Sequence, residues 1–230
     1  MKTFAILSQL FLAILIAFPA MTWAGGILIS DLRMVDAYAS GTFIDGPRTD
    51  HHTFQATFGQ NPFSATATAG VSGFVPGFGG GGASANASLT TQFTPGPDGF
   101  SEFMGTASIS TRSRPDYFGG TLAESLVDVT FHASSLDLLQ ITGTAGSQLT
   151  LSRSGGPLIF AAPAGRAFTF TTLLSTGDYR FVSDVKLDNP FGGGNTGFQF
   201  DMKFGVPEPS TLILAAIGGL ALLARRRGRP

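Results

Sequence analysis

Residues 198–204 read Phe-Gln-Phe-Asp-Met-Lys-Phe, with an apolar side chain at every second position. No other feature limits the fold so tightly. Successive side chains on a strand point to opposite faces, so a period of two supplies one face for a core and one for water. The pattern recurs at Val127, Val129 and Phe131, at Phe168 and Phe170, and at Tyr179 and Phe181, each time with polar residues between. Residues 65–69 and 83–88 alternate with small residues and read as thin strands near an edge or on a tightly packed face. Turn residues separate the runs: Asp45-Gly46-Pro47, Pro95-Gly96-Pro97-Asp98-Gly99, Phe118-Gly119-Gly120, Ser154-Gly155-Gly156-Pro157, Thr176-Gly177-Asp178 and Phe191-Gly192-Gly193-Gly194-Asn195. Short strands between Gly/Pro punctuation predict an all-β fold, an antiparallel β-sandwich of jelly-roll type with roughly eight to twelve strands in one domain. Residues 134–140 are the one stretch read as a brief helical turn.

The two ends depart from this pattern. Lys2, an apolar run over residues 4–18, Pro19, and small residues at Thr22 and Ala24 make up a secretory signal peptide, 1–24, with cleavage after Ala24. The apolar run is shorter than the roughly 20 residues of a spanning helix. At the other end, residues 206–230 hold Val206-Pro207-Glu208-Pro209-Ser210-Thr211, an apolar run from Leu212 to Ala224, and Arg225, Arg226, Arg227 and Arg229. Gly218 and Gly219 weaken this short hydrophobic helix by about 1 kcal/mol each relative to Ala. The four arginines would stay on the cytoplasmic side and orient it. So marginal a helix suits a transient membrane anchor.

The tail resembles the PEP-CTERM sorting signal, on Val206, Pro207, Glu208, Pro209, the glycine-containing apolar helix and the arginine cluster. The resemblance covers only the tail. It implies recognition by an exosortase-like membrane protease that cuts near the motif, as a GPI signal loses its hydrophobic tail. It also implies a link to exopolysaccharide production and biofilm formation.

Between the ends lies a body, 25–205, in which nine basic residues face fourteen acidic ones. An acidic body argues against nucleic-acid binding, which needs a basic stripe. The chain has no cysteine, so thiol chemistry, thiolate zinc and iron–sulfur sites are excluded, and the body must rely on its own core. Of the chain's 22 phenylalanines, the 19 in the body supply apolar area for one.

Candidate chemistry in the body is sparse. Gly77-Phe78-Gly79-Gly80-Gly81-Gly82 satisfies G-x-G-x-x-G, but no helix follows, and it reads as a flexible loop. His51 and His52 are adjacent and face opposite sides of a strand; His132 lies on a polar face; no metal site is expected of them. Glu102, Asp116, Glu124 and Asp128 read as solvated strand-face charges rather than a glycosidase pair. Asp184, Asp188 and Asn189 lack the alternating loop of a calcium site. Asn86-Ala87-Ser88 fits a glycosylation sequon but reads as ordinary strand. There is no G-x-S-x-G elbow. No cofactor is expected.

The expectation is an exported, noncatalytic cell-surface or extracellular-matrix protein, sorted through its tail. Its partners would be the protease, the membrane transiently, and extracellular polysaccharide. The alternative is a carbohydrate-binding sandwich or, further off, a glycan-active enzyme. The only Trp is Trp23 in the signal segment, which leaves Tyr38, Tyr117 and Tyr179 as sugar-stacking candidates, with Tyr179 assigned to the core.

Overall fold

A computed structural model describes residues 25–205 except 97–98, 115–118, 135, 147 and 190–191. The signal segment 1–24 and the tail 206–230, with the helices expected in them, lie outside the described residues, as do Asp116 and Tyr117. Twelve strands follow one another: β1 (Gly26–Phe43), β2 (Gly46–Gln55), β3 (Phe63–Val75), β4 (Gly79–Gly96), β5 (Gly99–Ser113), β6 (Thr121–Ala133), β7 (Asp137–Thr144), β8 (Gln148–Arg153), β9 (Leu158–Ala161), β10 (Ala167–Leu174), β11 (Gly177–Asn189) and β12 (Gly193–Gly205). All strand–strand ladders are antiparallel. Together they make a nearly closed, barrel-shaped sheet.

The sheet has two halves. One runs β3-β4-β5-β12-β7-β10 and the other β2-β1-β6-β11-β8-β9. The expected sandwich is corrected at one corner, where Gly26 of β1 pairs with Phe100 of β5 and makes the halves continuous. Gly99, at φ 137°, allows this join: a Cβ there would sit 2.3 Å from the Gly26 carbonyl oxygen. The ladders β5·β12, β6·β11, β7·β10 and β8·β9 are nested like rungs of one long hairpin whose tip is residues 154–157. β12 therefore lies between β5 and β7, inside its half rather than at an edge.

Alternation places the core. In β6 every second residue, Thr121 through Ala133, is buried. Phe103, Phe131, Phe181 and Phe200 are fully buried; Phe103 stacks on Phe93 at 4.2 Å and meets Phe200 at 5.0 Å between ring centres. Toward the other end the core thins to Ala37, Ala39, Ala67, Ala69, Ala85 and Ala87. The alanine strands β3 and β4 are thus an edge and its neighbour on a tightly packed face, as their small alternating residues predict.

Two local expectations fail. Residues 137–140 open β7 and pair with Leu174 through Thr171 of β10, so no helical turn forms from Asp137 onward. Only residues 76–78 of the glycine-rich segment form a turn; Gly79, Gly80, Gly81 and Gly82 already pair with Val75, Phe74, Gly73 and Ser72. Glycine disfavours strands, but here the β3 ladder overrides that preference.

The edges β2 and β3 meet along a seam closed mostly by side chains. The Gly70 amide donates to Asp50 Oδ2 (2.8 Å), Arg48 Nη1 donates to the Ser72 carbonyl (2.7 Å), and the Ile44 amide donates to the Phe74 carbonyl (3.0 Å). These bonds occupy edge groups that would otherwise template another chain.

Candidate functional site

Most of the titratable groups singled out in the sequence are spread over the barrel and paired with a neighbour, across a ladder or two residues along the same strand. His51 Nε2 lies 2.7 Å from Asp36 Oδ1, His52 Nε2 3.0 Å from Asp50 Oδ1, and His132 Nδ1 2.6 Å from Asp178 Oδ1. The adjacent histidines thus reach different aspartates, as alternation requires. Among the described residues no group of three His, Asp or Glu side chains could hold a metal ion.

The carboxylates behave alike. Asp128 takes a two-pronged bond from Arg180 (2.8 and 2.5 Å), Glu124 pairs with Lys186 (3.1 Å), and Glu102 pairs with Lys203 (3.0 Å). The Lys203 ammonium, first among several causes, holds the Glu102 carboxyl below the usual range. Asp184 moves the other way: burial, then the Glu124 charge, pushes its carboxyl up. Lys186 supplies positive charge among Glu124, Asp184 and Asp188. Asn189 turns its amide to Thr111 Oγ1 (2.9 Å). The oxygen-rich stretch is therefore not gathered into one cage. Asn86 sits exposed in β4. Tyr179 is core, 3 % exposed, and Tyr38 is half-buried with its ring edge-on to His51 at 5.9 Å.

Sequence reasoning missed the most connected polar group. Arg33 is fully buried. Its Nε and Nη2 donate to Asp31 Oδ1 and Oδ2 (2.6 and 2.5 Å), Nη1 donates to Thr91 Oγ1 (2.7 Å), and Nη2 also donates to the Gln60 carbonyl (2.6 Å). The Phe93 ring lies 4.9 Å from the guanidinium carbon. The Gly59 amide donates to Asp31 Oδ2 (3.0 Å) and the Ala56 amide to the Arg33 carbonyl (2.8 Å). The group ties the connection between β2 and β3 to β1 and β4. Stepping back by twos from Ala39, Ala37 and Val35 puts Arg33 and Asp31 on the inward face, so the signal lay in the alternation itself.

The chain leaves the barrel from β12. Phe204 packs edge-on against Phe100 and Phe131, at 5.4 and 5.3 Å between ring centres, and the strand ends at Gly205. A Cβ on Gly26 would stand 2.7 Å from the Phe100 ring and 3.1 Å from the Phe204 ring. The first and last described strands therefore meet at one end of the barrel. Residues 205–227, beginning where β12 ends, match the family model of the PEP-CTERM protein-sorting motif. The tail carries a PEP-CTERM sorting motif. That motif implies an exported, cell-surface-associated protein sorted and processed by an exosortase. Its Val206, Pro207, Glu208 and Pro209, and the arginines at 225, 226, 227 and 229, lie outside the described residues, as does Ala24. No curated protein and no solved structure matches the chain.

Proposed function

We propose that this chain is a noncatalytic cell-surface or extracellular-matrix protein: a β-barrel body delivered to the outside and released from its membrane tail. The observation that carries this reading is the sorting motif starting at the last residue of β12, with nothing folded between body and signal. The signal peptide 1–24 starts export, the arginines hold the tail end inside, and the apolar run pauses in the membrane until the protease cuts near Pro207-Glu208-Pro209. The nested pairing of β5 to β12 supports the jelly-roll order expected of the body. Matched carboxylates and separately paired histidines support a noncatalytic role.

Fractionation of producing cells, with mass spectrometry of both protein termini, tests the proposal. The expected surface or matrix form begins at Gly25 and ends within or just after the Pro-Glu-Pro segment. A surface form that ends at Pro230, or one that keeps Met1, overturns it.

A further inference from the structure

On the outer face of β3, β4 and β5 a trough of about 490 Å³ runs between the seam and two arginines. Its floor is backbone, because Gly70, Gly80 and Gly82 bring no side chains to it. Ser72 and Ser84 add hydroxyls, and Arg112 of β5 and Arg114 just beyond it form the far wall. Both arginines are exposed, Arg112 on β5 and Arg114 just past its end, two residues apart along the chain. Arg114 Nη1 donates to the Gly80 carbonyl (2.8 Å), which holds its fork over the floor. Arg112 has no carboxylate partner among the described residues, unlike Arg33 and Arg180. Among the described residues no acid lines the trough. At the seam side, Asp50 accepts from Gly70 and Asp45 pairs with Arg48, so the acids there are already engaged. Beyond Gly80, its ladder partner Phe74 is 53 % exposed and Phe78 in the adjoining turn is 61 % exposed.

We propose that this trough binds a carboxylated extracellular polysaccharide chain. Arginine forks match carboxylates two bonds at a time, and in an acidic body an unmatched pair of them selects anions locally. A floor without side chains admits a polymer against the backbone. Serine hydroxyls hydrogen-bond to sugar hydroxyls, and the exposed phenylalanines offer flat apolar faces to sugar rings. A folded protein partner would instead seek a packed apolar centre, which a glycine floor does not give. Position agrees as well. On β5, Glu102 pairs with Lys203 near the tail end and Arg112 pairs with Gly193 ten residues on. At about 3.4 Å per residue the trough sits roughly 34 Å from the tail's exit, toward the end that the body presents outward while its tail still holds it. This inference rests on the surface-protein reading above.

The test is binding of the full-length protein to polygalacturonate, with dextran as the neutral control and dextran sulfate as the sulfated one. Polygalacturonate should bind, dextran should not, and binding should weaken steeply as salt rises from about 0.05 M to about 0.5 M. Arg112→Gln with Arg114→Gln should weaken it about tenfold or more at unchanged melting temperature. Gly80→Leu should weaken it too; an added Cβ there meets no atom within 4 Å, so the new side chain starts from open space in the trough. Equal binding to dextran, binding to dextran sulfate alone, no binding to polygalacturonate at low salt, or unchanged binding by both variants each overturns the inference. Fractionation scores delivery separately: a delivered protein that fails to bind sinks only the trough, while an undelivered one that binds sinks only the surface reading.

Discussion

Arg33 and Asp31, two residues apart on β1, hold each other in a bidentate ion pair with neither side chain exposed to solvent. Removing one partner leaves a buried charge without its counterion, which costs about 3–5 kcal/mol. Arg33→Met is therefore expected to lower the urea midpoint sharply. Asp31→Leu with Arg33→Met should be less damaging than Arg33→Met alone. Equal midpoints for the single and double variants would show that the charge is not what the site resists losing.

The seam between β2 and β3 depends on Asp50. The Gly70 N–H, the largest of several influences, holds this carboxyl below its usual range. A depressed carboxyl stabilises the fold above its unfolded value, and that contribution is lost as the pH falls through the folded value. Asp50→Ala should speed hydrogen exchange at the Gly70 amide at neutral pH and remove the extra acceleration that acid brings to the native protein. Unchanged protection at Gly70 would count against a side-chain-closed seam.

Asp184 has the opposite sign. Burial and Glu124 raise its carboxyl, so the folded state holds the proton more tightly than the unfolded one. Stability tied to this group is full below the unfolded value and is lost as the pH rises through the folded value. Asp184→Asn should flatten the fall in melting temperature just above the ordinary carboxylate range. Parallel curves for variant and native protein would refute it.

Glycines differ in what they tolerate. A Cβ on Gly143 would stand 2.0 Å from the Gln199 carbonyl oxygen, inside the β7·β12 ladder, whereas Gly80 has open space. Gly143→Ala should cost at least about 1–3 kcal/mol through overpacking. Gly80→Ala should be neutral or mildly stabilising, since glycine pays extra chain entropy in a strand. Denaturant midpoints of the two variants check the ordering.

Strand identity was legible where one face of a strand is buried, and burial writes itself into alternation: β6 and β12 follow it almost residue for residue, whereas β2 has no buried residue. The same rule already contained Arg33 and Asp31, had charge not been assumed to mean exposure. Other features could not be read locally. The join at Gly26 and Phe100 depends on two segments 74 residues apart. Gly79 to Gly82 look like a loop until β3 is laid beside them. Arg112 and Arg114 visibly share a face, but a wall needs a floor, and that floor comes from strands far earlier in the chain.

The place of β12 has a consequence for the order of events during export. A chain that crosses a membrane from its N-terminus delivers β12 last, yet β12 lies between β5 and β7 and carries Phe198, Phe200, Met202 and Phe204 into the core. The barrel cannot close on the partial chain that has emerged before it. Folding is finished by the segment joined directly to the sorting signal, so a body severed before β12 has emerged would be released unfinished.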